Sequence, residues 1–482
     1  MNADENLIEL KHEVLYHVAK LAFADELEER KESIPFTMVP GPNPQFSCCI
    51  YKEREIIRQR IRLAEGKSSG PVDDGNVIQV ITSACEDCPI STYTVTDNCQ
   101  NCGGKACINA CQFGAVYKGT HRSHIDASKC KECGKCAQAC PYNAIAHLKR
   151  PCKFSCPVNA ITYDENGISK IDITKCIRCG KCIHSCPFGA IGSKAYIVDI
   201  INAIKSDKKV YVMVAPATEG QFGEDITMAS WEKAMLELGF DGFYDVSLGA
   251  DMTAAYEAEE WAEAYKNGQK KVTSCCPAFV NMVRLHYPQL AECVSTTISP
   301  MCAVSRLIKA RDPEAVTVFI GPCIGKKSEV ADQKIEGNAD YVLTYSEIFA
   351  MMRAKDIKLE PVKNNSQIGS AYGKRFANTG GVTAAVLQSL KESEDEIDAK
   401  VCVANGASEC KKALLLLKAA RLPEDFIEGM ACVGGCVGGP SAYNDQFISK
   451  KNRDMLISQA DERGIHENLK NYDMDSFSMH RE

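Results

Sequence analysis

Sixteen cysteines crowd the stretch between Cys85 and Cys186, and their regular recurrence limits what this part of the chain can become more than any other feature. Four times a Cys-x3-Cys pair leads into a similar tail: Cys107 and Cys111 with Gln-Phe-Gly-Ala-Val, Cys136 and Cys140 with Pro-Tyr-Asn-Ala-Ile, Cys152 and Cys156 with Pro-Val-Asn-Ala-Ile, Cys182 and Cys186 with Pro-Phe-Gly-Ala-Ile. Residues 123–130 echo residues 169–176, and both run into Cys-x2-Cys-Gly-Lys-Cys, so one unit occurs twice. Thiols at this density form either a disulfide scaffold or metal sites. A scaffold would be short and secreted, whereas this chain has 482 residues and starts on a charged stretch without an apolar signal region. The expectation is reduced, metal-binding cysteines in a cytoplasm. A net charge of -7 argues against general nucleic-acid binding, and no apolar run approaches the roughly 18 residues of a membrane span.

The run Cys-x2-Cys-x2-Cys-x3-Cys-Pro at residues 130–141 and again at 176–187 is the bacterial ferredoxin signature, in which three cysteines bind one 4Fe-4S cluster and the fourth crosses to another. By that rule Cys130, Cys133 and Cys136 take Cys111, while Cys99, Cys102 and Cys107 take Cys140. Cys176, Cys179 and Cys182 take Cys156, which leaves Cys152 and Cys186 short of two ligands. Cys85 and Cys88 are the spare Cys-x2-Cys pair. The second module is therefore expected to open at Cys85, to be interrupted by the whole first module, and to resume at Cys152, giving four accessory 4Fe-4S clusters. The alternative for Cys85 and Cys88 is a separate zinc site or no metal. Such modules beside a catalytic domain read as a wire, whose potentials depend on surroundings that sequence does not reveal.

Residues 6–31 carry leucine and valine at helical spacing and predict one amphipathic helix, followed by a Pro/Gly turn at 39–44 and a basic helix at 53–65. Cys48 and Cys49 lack a second half-motif and read as ordinary thiols. Beyond Lys209, strands are predicted at 210–215, 316–320 and 401–404, with helices near 230–238, 253–266, 302–310, 381–391 and 408–419, an α/β pattern. The expected organisation is a helical region at 1–80, nested α+β ferredoxin-like modules at 81–192, an α/β catalytic domain at 193–445, and a helix with a loose tail at 446–482.

Three motifs in the α/β part carry chemistry: Thr273-Ser274-Cys275-Cys276-Pro277, the segment from Gly321-Pro322-Cys323 through Lys326 to Glu329, and Glu428-Gly429-Met430-Ala431-Cys432 running on to Cys436. Adjacent cysteines before a proline can give one thiolate to a metal and keep the other as an acid. Cys276, Cys323, Cys432 and Cys436 make four thiolates, the usual complement of a 4Fe-4S cluster. Together the three segments resemble the active-site motifs of the iron-only (FeFe) hydrogenases, over about residues 195–440.

That resemblance implies an H-cluster, a 4Fe-4S cluster joined to a two-iron unit with CO, cyanide and a bridging azadithiolate. Cys276, Cys323, Cys432 and Cys436 would be its ligands, with Cys436 the bridge. Cys275 would be the free thiol that passes protons, Lys326 a donor to a cyanide, Ala215, Pro216 and Ala217 the backbone contact of the other cyanide, and Met430 a neighbour. Glu257 and Glu260 resemble the relay carboxylates, and Ser295 the relay hydroxyl between them. A free thiol with a pKa of about 8.5 suits a proton carrier. The plainer reading of Glu257 and Glu260 is a solvated helix face. Cys293, Cys302, Cys402 and Cys410 read as packing thiols, and the pairs Gly380-Gly381, Gly434-Gly435 and Gly438-Gly439 as close backbone approaches rather than a phosphate loop.

The chain departs from the best-known members in Ala278-Phe279, in Gly321 where a methionine precedes the second cysteine, and in Val437-Gly438-Gly439-Pro440. These departures resemble the ferredoxin-linked group B branch. The implied activity is interconversion of hydrogen with two protons and two electrons, with a ferredoxin-type carrier as partner and maturation proteins delivering the two-iron unit. No nicotinamide or flavin motif is visible. One rival is a low-turnover hydrogen sensor, against which stands the lack of an evident signalling domain. The other is a non-catalytic iron-sulfur assembly protein, disfavoured by Lys326, Cys275 and the long relay.

Overall fold

The computed structural model describes residues 3–88, 93–362 and 368–481. Val210–Val214 is a short, β-rich apolar run, buried on both faces as a central parallel strand must be. It lies between Gly242–Asp245 and Val316–Ile320, and Tyr341–Leu343 completes a four-stranded parallel sheet. A second parallel sheet orders Lys271–Val272, Phe426–Met430 and Val401–Asn405. The predicted strands at 210–215, 316–320 and 401–404 are present, and the five predicted helices appear as Met228–Leu238, Ser247–Lys266, Pro300–Arg311, Gly381–Glu392 and Ala407–Lys418. The helix Ser247–Lys266 starts six residues earlier than expected, where the Ser247 amide donates to Asp245 Oδ1.

Phe426–Met430 escaped the strand pattern because Glu428 and Gly429 interrupt it. Both have tertiary reasons. The Glu428 carboxylate accepts from the amides of Gly380 and Thr383 and from the Thr383 hydroxyl, capping the helix Gly381–Glu392. A Cβ at Gly429 would stand 2.3 Å from the Phe279 ring, so only glycine lets that ring close on the strand.

The helix expected over 6–31 ends at Phe23, because Asp25 takes a left-handed φ of 59° and the chain restarts at Leu27–Arg30. The helix Ala3–Phe23 buries Val14, Val18 and Ala22 in one core with Val212, Ile348 and Met351, so the N-terminal region packs directly on the four-stranded sheet.

The cysteine-rich part forms two α+β ferredoxin-like modules of antiparallel strand pairs. In the first, Tyr93–Val95 pairs with Ile145–His147 around the hairpin Val116–Lys118 and Ser123–Ile125. In the second, Ile161–Tyr163 pairs with Ser169–Ile171, and the outer pair joins Ile78–Val80 to Ile191–Ser193. That last pairing spans the first module, so the first module is inserted into the second.

The tail expected to be loose beyond the helix Gln446–Ile457 is packed. Ile465 and Met479 are at most 1% exposed, and the Asn468 amide donates to buried Asp251. Charge made this stretch look solvated, yet its few apolar residues insert into the α/β domain.

Candidate active site

Strand ends build the site. Ala215, Pro216 and Ala217 follow Val210–Val214; Cys323 follows the strand Val316–Ile320 and stands just before the helix Ile324–Val330; Cys276 follows Lys271–Val272 and stands just before Pro277–His286; Cys432 and Cys436 follow Phe426–Met430. Open parallel sheets gather ligands at the carboxyl ends of their strands, and here the strands of two sheets do so around one cavity. The result is a cavity lined by Cys275, Cys276, Cys323, Cys432, Cys436, Lys326, Met430 and the segment Ala215, Pro216, Ala217. The rest of its wall is largely apolar, from Val246, Met301, Phe319 and Phe376.

Cys276, Cys323, Cys432 and Cys436 are half-exposed to this cavity although they lie deep in the protein. Burial pushes the Cys323 thiol up to about 11 and Cys436 up to about 12, and Cys432 also well above the ordinary value. Bare, these thiols would hold their protons; a bound cationic group would draw them to thiolates. Among the described residues no three His, Cys, Asp or Glu converge to chelate a single ion. Soft thiols spread around an apolar cavity fit an iron-sulfur group with several metal atoms rather than one hard cation.

Cys275 faces the same cavity, and burial first, then the nearby Glu257 carboxyl, raise its thiol far above the usual range. Glu257 is fully buried one helix away, and neither of its oxygens meets a hydrogen-bond partner in good geometry. Burial, with a smaller push from Glu260, raises it to about 8; the Ser274 amide and the Ser295 hydroxyl soften that rise. Glu260 differs. Burial would raise it too, but donation from Thr296 and Thr297 outweighs burial and holds it below the usual carboxylate range. Its Oε1 accepts from the Thr296 hydroxyl at 2.6 Å and from the Thr297 amide and hydroxyl at 2.9 Å. The Thr297 amide also donates to Ser295 Oγ at 3.2 Å, tying Ser295 to Glu260. At the outer end His480, about half exposed, stands 3.6 Å from Glu260 and 2.9 Å from the Thr296 hydroxyl. Cys275, Glu257, Ser295 and Glu260 thus lead from the cavity towards the surface, and the plain solvated-helix reading fails for Glu257.

Lys326 Nζ donates to Glu329 at 2.6 Å and reaches the Cys275 carbonyl at 3.4 Å, so the ammonium sits beside the acid thiol. Burial alone would lower its pKa, but Glu329 keeps it above the ordinary value and hence charged. Gly321 is crowded: a Cβ there would meet the Ala215 Cβ and the Phe319 ring at 3.0 Å, so Phe319 occupies wall that a longer side chain at 321 would need.

Two of the accessory cysteine sets line pockets of their own. Cys111, Cys130, Cys133 and Cys136 line one pocket, and Cys156, Cys176, Cys179 and Cys182 another. Burial first, then nearby Cys152, Cys85 and Cys186, raise the Cys88 thiol, and Cys186 and Cys85 add to the burial that raises Cys152, so these four lie close together. Cys99 and Cys107 share a core with Cys111 and Cys130, and Ser123 donates to Cys99 and accepts from Cys107. In all four tails the amide of the alanine four residues on donates to the last sulfur: Ala115 to Cys111, Ala144 to Cys140, Ala160 to Cys156 and Ala190 to Cys186, at 3.3 to 3.4 Å. Amides aimed at sulfur stabilise thiolate and tune a cluster's potential. Cys302 and Cys410 are core thiols with no exposure, and Met301 beside Cys302 is the residue that lines the cavity.

Sequence reasoning missed Arg453, Lys374, Glu219 and His480. Lys374 Nζ donates to Glu219 at 2.7 Å, and the Arg453 guanidinium donates to Asn378 Oδ1 and to the Lys374 carbonyl, all behind the cavity wall. Asn378 bridges to Gly435 and the Ala377 carbonyl accepts from the Cys436 amide, so Arg453 supports the loop that carries Cys436. No local motif marks these residues; Arg453 joins the Lys374 and Glu219 pair because the helix Gln446–Ile457 folds back.

A family model described as the iron only hydrogenase large subunit, C-terminal domain, matches residues 208–440, a 4Fe-4S binding domain matches 123–146, and the LdpA Fe-S cluster-binding domain matches 146–197. Iron hydrogenase 1 of Clostridium pasteurianum is 32% identical over 411 residues, covering 71% of this chain and 70% of that protein. The periplasmic Fe hydrogenase large subunit of Nitratidesulfovibrio vulgaris is 31% identical over 375 residues, 66% of this chain and 86% of that one. The NADP-reducing hydrogenase subunit HndD of Solidesulfovibrio fructosivorans is 26% identical over 436 residues, 78% of this chain and 66% of its own length.

Proposed function

The chain belongs to the iron-only hydrogenase family, and from that premise we propose that it interconverts hydrogen with protons and electrons at the Cys276, Cys323, Cys432 and Cys436 cavity and exchanges electrons with a ferredoxin-type carrier. The observation that carries the reading is Cys275, a free thiol buried on the cavity wall between the four grouped cysteines and buried Glu257. When bound there, the H-cluster supplies reversible heterolytic cleavage of hydrogen. Cys276, Cys323, Cys432 and Cys436 would hold its cubane, with Cys436 the bridge to the two-iron unit.

The residues around it do the rest. The charged Lys326 presents a donor at the cavity, held in aim by Glu329, and the backbone of Ala215, Pro216 and Ala217 lines the facing wall beside Met430. The largely apolar wall excludes bulk water, so a proton released at the site needs a carrier of its own. Cys275 holds that proton at Sγ, and the Glu257 carboxyl, with a pKa of about 8, can take it and give it up near neutral pH. Ser295 and Glu260 pass it on to the surface near His480.

The sixteen cysteines in the nested sets given above would hold four accessory 4Fe-4S clusters, which would supply one-electron transfer between the cavity and the carrier. Cys179 lies near Cys432, which supports that set as the last station before the catalytic site. We assign the chain to the ferredoxin-linked branch on Phe279 and Gly321, and place it in the cytoplasm on its many reduced thiols. The related NADP-reducing subunit makes a nicotinamide-linked partner chain the competing route for electrons. No helix among the described residues is long and apolar enough to cross a membrane.

Infrared spectroscopy of protein matured with the two-iron unit tests this. CO and cyanide bands that shift under hydrogen are expected. Protein that holds its 4Fe-4S clusters, is offered the two-iron unit and shows no such bands would end the hydrogenase reading.

A further inference from the structure

The internal repeat allows the two ferredoxin-like modules to be compared position by position. In the second module Cys176, Ile177, Cys179 and Gly180 correspond to Cys130, Lys131, Cys133 and Gly134 of the first, and Val158, two residues after Cys156, corresponds to Phe113, two after Cys111. The second module turns this face to the α/β domain. Ile177 is 1% exposed and shares a core with Phe279, Ile427 and half-buried Val158. Asn281 donates to the Ile177 carbonyl, and a Cβ at Gly180 would meet Ile324 at 2.7 Å, one residue after Cys323.

In the first module, among the described residues, Phe113, Lys131, Cys133 and Lys135 on the corresponding face are exposed. Cys133 is exposed, Phe113 is 46% exposed, and both line the pocket of the Cys111, Cys130, Cys133 and Cys136 group together with Lys131. Lys135 stands beside it, its Nζ 3.0 Å from Gln112 Oε1. A buried isoleucine has become an exposed lysine, and a packed valine an exposed phenylalanine. From residue 93 to residue 147 six Lys and Arg stand against three Asp and Glu, in a chain whose net charge is -7.

We infer that this Phe113, Lys131, Cys133 and Lys135 face is the docking surface of a small acidic iron-sulfur electron carrier, which occupies on the first module the place that the α/β domain occupies on the second. It rests on the reading of the chain as a carrier-linked hydrogenase and names where that carrier sits. Electron transfer demands a short gap, and a cluster ligand at the surface provides one. Exposed Phe113 offers the patch an apolar contact, and the lysines steer an acidic partner by long-range attraction that salt screens.

The test is binding of an acidic two-cluster bacterial ferredoxin to the full chain with its iron-sulfur clusters in place, measured by calorimetry with both proteins oxidised. Lys131→Glu combined with Lys135→Glu is expected to weaken binding at least tenfold at low salt, with the difference shrinking as salt is raised. Lys170→Glu, an exposed lysine on the second module, is the control and should leave binding unchanged. Iron content and visible absorbance establish that the variants keep their clusters. Because binding is read without turnover, the result stands apart from whether hydrogen is the substrate, which the infrared bands decide. Binding that ignores the double reversal, that falls equally with Lys170→Glu, or that is missing in the unaltered chain overturns the assignment.

Discussion

Replacing Glu257 with glutamine should produce a catalytic domain that is more stable than the parent at neutral pH and nearly inactive. Burial raises this carboxyl from the ordinary 4.5 to about 8. The folded chain therefore keeps a proton that the unfolded chain releases above about pH 4.5, and the stability contributed by the site falls as pH rises between 4.5 and 8. Each unit of displacement is about 1.4 kcal/mol, so the deficit is about 3 kcal/mol at pH 7 and close to 5 kcal/mol, also about the ceiling, at pH 8 and above. Glutamine keeps the shape and polarity of the neutral acid and removes that deficit. It cannot carry a proton, and loss of a positioned acid-base group slows reactions by about 10² to 10⁴. Guanidinium unfolding can be followed through Trp231 and Trp261, the chain's two tryptophans, both buried in the α/β domain. The variant's gain in midpoint should be small at pH 5 and grow towards pH 8, while viologen-linked hydrogen evolution falls by at least a hundredfold. A gain that does not change with pH, or full turnover in the variant, would refute the account of Glu257.

Three further outcomes follow from the same geometry. Replacing Cys85 and Cys88 with serine should lower bound iron by about four atoms per chain, as should replacing Cys152 and Cys186, and the fourfold variant should lose no more than either pair; additive losses would break the nested ligand set. Lys326→Met leaves Glu329 buried without its counter-charge and should cost about 3 to 5 kcal/mol in denaturant unfolding, whereas adding Glu329→Gln should recover most of the loss. Arg453→Met should cost a similar amount, about 3 to 5 kcal/mol, and Arg453→Lys should rescue little, because a single ammonium cannot donate along both guanidinium directions to Asn378 and the Lys374 carbonyl; a neutral Arg453→Met would show that the C-terminal helix does not support the Cys436 loop.

How much could be read in advance depended on the kind of residue. The residues with chemistry of their own, the cysteine sets and the three motifs, announce themselves because thiolate coordination depends on residue type and spacing along the chain. Their grouping by the crossing rule matches the pockets around Cys111 and Cys156. The insertion of one module in the other also followed from a count of unpaired Cys-x2-Cys units, and the pairing of Ile78–Val80 with Ile191–Ser193 is its backbone counterpart. Strands such as Phe426–Met430 stayed hidden because Glu428 and Gly429 answer to partners far along the chain, a helix end and a phenylalanine ring.

The sequence by itself therefore determined the inventory: which thiols are available, that they come in repeated units, and that Cys275 stands free beside Cys276. Only the tertiary structure decided their environment. Glu257 is an acid near neutrality chiefly because folding removes its water, with a smaller push from Glu260 on the same helix. Arg453 and His480 reach the site only when the C-terminal segment folds back against the α/β domain, where Arg453 meets the Lys374 carbonyl. Lys131 and Ile177 occupy the same place in a repeat, yet one meets solvent and the other a core. Coordination chemistry is written in residue identity, whereas burial, which sets charge and proton affinity, exists only once distant segments have excluded water together.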